Sequence, residues 1–477
     1  MNNYSNFAQQ PAGSPSPSVA SAPGNDLATR DALIANNGDR AVLIKGGTIL
    51  TQDASHGNLE SADVLIRDGK IAELGVGLDD ADAIVVDASA MIVLPGFVDS
   101  HVHAWEGQLR GSAPTLDFGS YLGYTAFGYG PLYRPHDSYV GNLITSLVAL
   151  DSGITTIIDN SHNSLTPDHS SAAVEGLRDA GIRAVHAVGA PVAGPPENWP
   201  KDVLRLRSEY FSSNDQLLTL RLFDLYPSAE LWEFARSEGL WVSHEMGAHI
   251  ENVDDVFAEL SARGLLTAQH TYNHCFDLSD KVWEMLRESG ASVNLAPRSD
   301  AAFGLGTSTP PIDKVREMGI IPGLSGDNEV SYGLSMFAEM QILLNGHRGR
   351  TFRTALVDGA DAAPEHLTPE EVLTYATMGG AANAGLADRV GSLTPGKAAD
   401  VVLVRATDVN TAPLSNPVAT VTAFTHAGNV DTVFVAGSAR KFRGELLHHD
   451  FAQVRALVEA SRDFLFEANA GASEASA

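Results

Sequence analysis

Cysteine is almost absent from this chain. Among 477 residues there is one, Cys275, so no internal disulfide can form, and the fold must do without the oxidised cross-links on which small secreted domains depend. A reducing cytoplasm is the expected setting. Positive charge is scarce as well: 31 Lys and Arg stand against 59 Asp and Glu, a net charge of -28. So acidic a surface repels phosphate backbones and anionic lipid headgroups, which argues against nucleic acid or a membrane surface as a partner. Nor is there any run of the ~18 to 20 apolar residues that a membrane span requires. The first 40 residues lack the basic and apolar segments of a secretory signal and read as a flexible tail rich in Pro, Ser, Ala and Gly. What is present is a hydrophobic fraction of 44%, enough for a sizeable core.

Two sets of short β-branched runs lie far apart in sequence. One begins at Ala41 with AVLIKGGTIL and ADVLIRDGKIAELG, which contains the Asp68-Gly69 hairpin signal. The other comprises AADVVLVRATD from Ala398 and TVFVAGSARKF with its Gly437 turn. We expect them to form one small β-sandwich from both chain ends, residues 41–90 and 391–445. A helix over 446–477 is expected to pack outside it or on a neighbouring subunit of a homo-oligomer. Between the two parts, over 91–390, β-type runs alternate with helical ones. MIVLPGFVDSH, ITTIIDNSH, RAVHAVGA, LLTLRLFDLY, LWVSHEM, LTAQHTYNH, SVNLAP and IIPGLSGDN give eight strands, the number that fits a (β/α)8 barrel. The dinucleotide-binding form of an open sheet has no support, because no Gly-x-Gly-x-x-Gly follows an early strand.

Polar residues recur at the strand ends. In Val98-Asp99-Ser100-His101-Val102-His103 the two imidazoles sit at i and i+2 on a strand, so they face the same way and can share one ion. His244, His274 and Asp327 end the fifth, sixth and eighth strands, at the rim where barrel enzymes assemble their sites.

LPGFVDSHVH, the strand-end histidines, the SGD of the eighth strand and GGAANAGLADRVGSLTPGKAADVVLV together resemble the amidohydrolase superfamily, in its cytosine deaminase and chlorohydrolase-like branch. The resemblance spans roughly Val42 to Phe442. It implies a TIM barrel carrying one divalent metal, Zn2+ before Fe2+ or Mn2+. His101, His103, His244 and Asp327 become the metal ligands. Asp327 would also move the proton of a water activated by the metal, and His274 would orient that water. His274 is favoured over His270 because His-Cys followed by Ser279-Asp280 fits the family pattern; His270 reads as a packed core histidine. The ends of the third and fourth strands offer His186 and Asp224 but no Lys to bridge a second metal.

A departure from the family pattern and an aromatic loop bear on the chemistry. Deaminases of this branch carry a Glu three residues beyond the fifth-strand His. Here Glu245 is adjacent and is expected to point away from the ligand face, which leaves Glu245 or His249 as substitutes after a rearrangement. An aromatic-rich loop holding Trp105, Phe118, Tyr121, Tyr124, Phe127, Tyr129 and Tyr133 either lines a pocket or packs on its own helix. Trp105, Tyr121, Asp159, His162 and Arg298 are candidate substrate contacts, with Arg298 placed to hold an anionic group. The expectation is a metal-dependent hydrolase of C–N bonds (amide, amidine or ring-amino) in a small cyclic or aromatic substrate. Its rivals are a non-hydrolytic lyase (decarboxylase or dehydratase) on the same barrel and a non-catalytic barrel subunit.

Overall fold

The computed structural model describes residues 23–36, 38–192, 199–213, 215–247, 250–307, 309–359 and 365–476. His249 lies outside them. Eight parallel strands close a barrel: Phe97–Val102, Ile154–Ser161, Arg183–Val188, Leu218–Asp224, Val242–Gly247, His270–Phe276, Ser292–Leu295 and Gly323–Leu324. Each of the eight runs read from the sequence supplies one of them, in the expected order, although the first run is divided: its Met91–Pro95 half joins the other sheet and only Phe97–Val102 enters the barrel. The first three strands are buried along their whole length, as expected when helices cover one face and packed side chains fill the other.

Both chain ends build a separate mixed sheet of nine strands. Its join is Met91–Pro95, which runs parallel to Val42–Ile49 and antiparallel to Val401–Arg405. The Asp68-Gly69 turn takes positive φ at both residues, 49° and 71°, the geometry that suits a two-residue hairpin. Barrel and sheet are tied by a buried bidentate ion pair, Arg183 Nε and Nη2 to Asp400 at 2.8 and 2.9 Å.

The tail expected over residues 1–40 includes a helix, Pro23–Ala35, whose Leu33 is buried in the core of the sheet, with Asp26 paired to Arg443 at 3.3 Å. The Pro and Ser content that suggested a tail lies before this segment; DLATRDALIA itself is made of adequate helix formers.

The C-terminal helix Phe451–Ser476 packs over the barrel mouth. Leu465 enters the same cluster as Trp105, Tyr121, Tyr129 and Tyr133, Ser461 Oγ donates to Asp137 at 2.7 Å, and the Arg134 guanidinium lies 3.4 Å from the Phe464 ring centre. The aromatic loop is thus held from both sides, and of its rings Phe127 alone is largely exposed. Close approach of the helix Pro135–Asp151 beneath it depends on Gly141, where a Cβ would stand 2.3 Å from the Trp105 carbonyl oxygen.

Candidate metal centre

The first and eighth strands hold their polar ends together through the backbone. His103 N donates to Asp327 O at 2.8 Å and Asp327 N to His101 O at 2.9 Å, while the Asp99 carboxylate accepts from the His101 and Gly326 amides. His101 Nε2, His103 Nε2 and Asp327 Oδ1 therefore converge, at 3.2, 3.4 and 3.4 Å from one another.

Glu245 completes the group. Its Oε1 lies 3.2 Å from His101 Nε2 and its Oε2 3.3 Å from His274 Nε2. Two triads, His101/His103/Asp327 and His101/Glu245/His274, thus share His101 and form one continuous donor set. Bonds of about 2.0–2.2 Å around a tetrahedral ion separate its ligand atoms by roughly 3.3–3.5 Å, so these spacings suit a divalent metal.

The outer partners suit it too. His103 Nδ1 donates to the Asn160 carbonyl at 3.0 Å and His274 Nδ1 to Asp300 Oδ1 at 2.8 Å. The first bond leaves His103 Nε2 with a lone pair facing the centre, whereas at His274, although burial opposes the charge, hydrogen bonds to Asp300 and Glu245 raise the imidazole well above its usual range, so its Nε2 presents a proton towards Glu245. Although burial opposes its ionisation, the imidazoles of His101 and His274 hold the Glu245 carboxyl well below the usual carboxylate range.

The fifth-strand histidine is a correction. His244 is fully buried on the opposite face, its Nε2 2.9 Å from His270 Nδ1 and its ring stacked on Tyr272 and against Trp232. Alternation explains this: Val242, His244 and Met246 face the covering helices, whereas Ser243 and Glu245 face the barrel axis. The expectation that Glu245 points away is reversed. The signal was present in VSHEM, whose apolar residues share His244's parity.

His274 reaches the centre by breaking its own alternation. His270 and Tyr272, of the same parity, lie outward against Trp232. Positive φ at His274 and Cys275, 62° and 56°, and a register shift after Met246 swing the strand end inward. Asp327 likewise has φ 65°. Left-handed backbone at non-glycine residues costs about 1–3 kcal/mol each and concentrates where function demands an aimed side chain. Gly247 allows the bend, since a Cβ there would meet the Phe276 ring at 2.3 Å.

The candidate substrate contacts divide. His162 Nε2 lies 3.1 Å from His103 Nδ1, and Trp105 packs on His162 and Tyr133. Asp159 is taken up by the His186 imidazole at 2.8 Å and the Ala104 amide at 3.2 Å, so it sets the turn after His103. Arg298 pairs with the buried Glu339 and lies over the Tyr332 ring. Its charge has an internal partner, and the case for an anionic substrate group loses its basis.

Tyr121 leads to a residue that sequence reasoning missed. Its hydroxyl donates to Glu106 Oε1 at 2.7 Å, and Glu106 Oε2 is buried without a partner among the described residues. Burial, with the charges of Asp327 and Glu329 adding to it, raises the Glu106 carboxyl well above the usual range. The only hint in AWEGQL is an acid within a turn that is otherwise uncharged.

The amidohydrolase family model matches residues 92–219 and 233–440. A 5'-deoxyadenosine deaminase of Methanosarcina mazei is 28% identical over 390 residues, 76% of this chain and 84% of that protein. A 5-methylthioadenosine/S-adenosylhomocysteine deaminase of Acetivibrio thermocellus is 26% identical over 87% of this chain and 97% of its own length. Among solved structures, an adenosine deaminase from Xanthomonas campestris with bound zinc superposes with a TM-score of 0.76 at 21% identity, covering 89% of this chain and 98% of that one. A mutant atrazine chlorohydrolase from Arthrobacter aurescens, complexed with zinc and atraton, gives 0.77 at 20% identity, covering 88% and 100%. No helix among the described residues is long and apolar enough to cross a membrane. The chain belongs to the amidohydrolase family, whose members are metal-dependent.

Proposed function

We propose that this enzyme is a hydrolytic deaminase of a small aminated N-heterocycle, using one divalent ion held by His101, His103, Glu245 and Asp327. The observation that carries the reading is the convergence of His101, His103 and Asp327 at the spacings of ligands around one ion, with Glu245 and His274 in a second triad that shares His101. The relatives are deaminases and chlorohydrolases, hydrolases of ring substituents. The lyase and the non-catalytic subunit find no counterpart among them. Two imidazoles and two carboxylates suit Zn2+, with Fe2+ and Mn2+ accepted by the harder oxygen donors.

Bound there, the ion would lower the pKa of a water from 15.7 to about 7. The remaining work falls to the chain's own residues. Asp327, whose Oδ2 accepts a hydrogen bond from Ser299, takes one proton of the attacking water and passes it to the departing amine. Glu106 is neutral because it is buried, and it protonates the ring nitrogen next to the carbon under attack. When the C–N bond breaks, Glu106 recovers a proton from the new hydroxyl. Water and the aminated ring thus become a ring carbonyl, a ring N–H and ammonia. His274, fixed by Asp300, stabilises charge at the oxygen that attacks. Glu106 stands in for the acid missing three residues after the fifth-strand ligand.

Metal analysis and ammonia release test the reading together. Purified protein is expected to hold one equivalent of metal. It should release ammonia from one member of a panel headed by 5'-deoxyadenosine and 5-methylthioadenosine, stop on chelation and recover with zinc. Metal-loaded protein that deaminates no aminated heterocycle but releases carbon dioxide from aromatic acids would overturn it.

A further inference from the structure

Arg221 is the one guanidinium of the described barrel strands that is buried without an acid. It is 1% exposed, yet its Nη1 donates to two neutral hydroxyls, Ser243 Oγ and Thr271 Oγ1, each at 3.2 Å. Its Nε is buried with no partner among the described residues. The other fully buried strand guanidinium, Arg183, is matched by Asp400. An uncompensated charge in a protein interior is costly, even with the Trp241 ring 5.2 Å away to offset part of it.

Arg221 also lines a cavity of about 540 Å³. Trp241 and Gln269, which precede the fifth and sixth strands, share its wall, so it opens at the end of the barrel opposite the metal centre. None of the donors around the centre lines it. Phe211, Leu240 and Trp241 supply an apolar side. The other charged groups of the lining are already engaged or exposed: Arg207 pairs with Glu238 at 2.5 Å, Arg389 with Asp215 at 3.6 Å, and Asp388 faces solvent.

We propose that this cavity is a second binding site, for a small organic carboxylate whose charged end lies on the Arg221 fork and whose apolar body lies against Trp241. A carboxylate supplies the two acceptors that a guanidinium fork addresses and the charge that this interior lacks. The volume falls in the range of small-molecule sites.

The test is fluorine NMR titration of the metal-loaded protein with 4-fluorobenzoate, using 4-fluorobenzamide as the uncharged control. Saturable binding of the acid, with the amide at least about tenfold weaker, is expected from the loss of charge-assisted hydrogen bonds. Arg221→Met should abolish the binding, and Arg221→Lys should weaken it about tenfold because the fork is lost. Asp327→Asn should leave it unchanged, which separates this cavity from the metal centre. If Arg221→Met does not fold, Arg221→Lys and Trp241→Leu carry the test. Failure of the wild-type protein to bind, equal binding of acid and amide, or retention of binding in a folded Arg221 variant overturns the proposal.

Discussion

Two adjacent residues, His244 and Glu245, can be separated by what each variant loses. His244→Ala removes a fully buried ring stacked on Tyr272 and strips His270 Nδ1 of its partner. Lost packing of about 2 kcal/mol and an unsatisfied donor or acceptor of about 1 kcal/mol give roughly 3 kcal/mol. Unfolding entropy runs at about 2.1 cal/mol/K per residue, so a chain this long should melt only about 3 °C lower. Its metal content should not change. Glu245→Ala deletes an oxygen 3.2 Å from His101 Nε2 and leaves a barrel that folds. Its metal affinity should fall by more than the roughly 10- to 100-fold typical of losing an outer partner. Thermal melts read beside metal analysis, after dialysis against a weak chelator, measure both effects. A folded Glu245→Ala protein that keeps wild-type metal affinity, or a folded His244→Ala protein that loses its metal, would refute the assignment.

Glu106→Gln keeps the shape and the bond from Tyr121 but cannot supply a proton, so kcat should fall about 100-fold or more with little change in KM; an unaltered kcat on the true substrate removes Glu106 from the reaction. Asp400→Asn leaves the Arg183 guanidinium buried with one weak partner and should cost about 3–5 kcal/mol by denaturant titration, far more than an exposed pair such as Arg263–Glu259. Asp224 gives a pH test. Burial pushes its carboxyl from 3.8 up to about 6, against hydrogen bonds from Trp232 and the Ser228 and Tyr226 amides that pull it down. Between those values the folded state binds the extra proton, so Asp224's own contribution to stability is greatest below about pH 4, falls as pH rises towards 6 and is level above, by roughly 3 kcal/mol in all. Asp224→Asn should flatten that decline in melts at pH 4, 5, 6 and 7, and an unchanged slope would show that another group causes it.

The barrel was legible because its signals are local and repeated. Each strand is a short β-rich run, each is followed by a helical segment, and eight repetitions leave few topologies open. His101 and His103 were legible because the i, i+2 spacing on one strand states their common direction by itself. Other features depend on partners remote in sequence. Glu339, which neutralises Arg298, is 41 residues away, and nothing near Arg298 announces it. Glu106 is unusual only once the aromatic loop and the C-terminal helix have buried it. The helix Pro23–Ala35 was hidden by the composition of the residues before it.

The misassigned fifth strand follows from ranking residue type above parity. Histidine is the commoner ligand, and the family resemblance reinforced that choice. Yet Val242 and Met246 are both fully buried hydrophobic residues, and in a parallel barrel residues of their parity must meet the helices. His244 shares it and is drawn to the same side, where its ring packs in the Trp232, Tyr272 and His270 stack. Glu245, of the other parity, is left facing the axis, where an isolated carboxylate could not remain ionised without compensation. The imidazoles of His101 and His274 supply that compensation, and so would a cation. Exchanging a neutral imidazole for a carboxylate adds one negative charge to the ligand set. The centre should therefore bind a divalent ion more tightly than its Glu245→Gln counterpart, and the difference should shrink as pH falls and Glu245 is protonated.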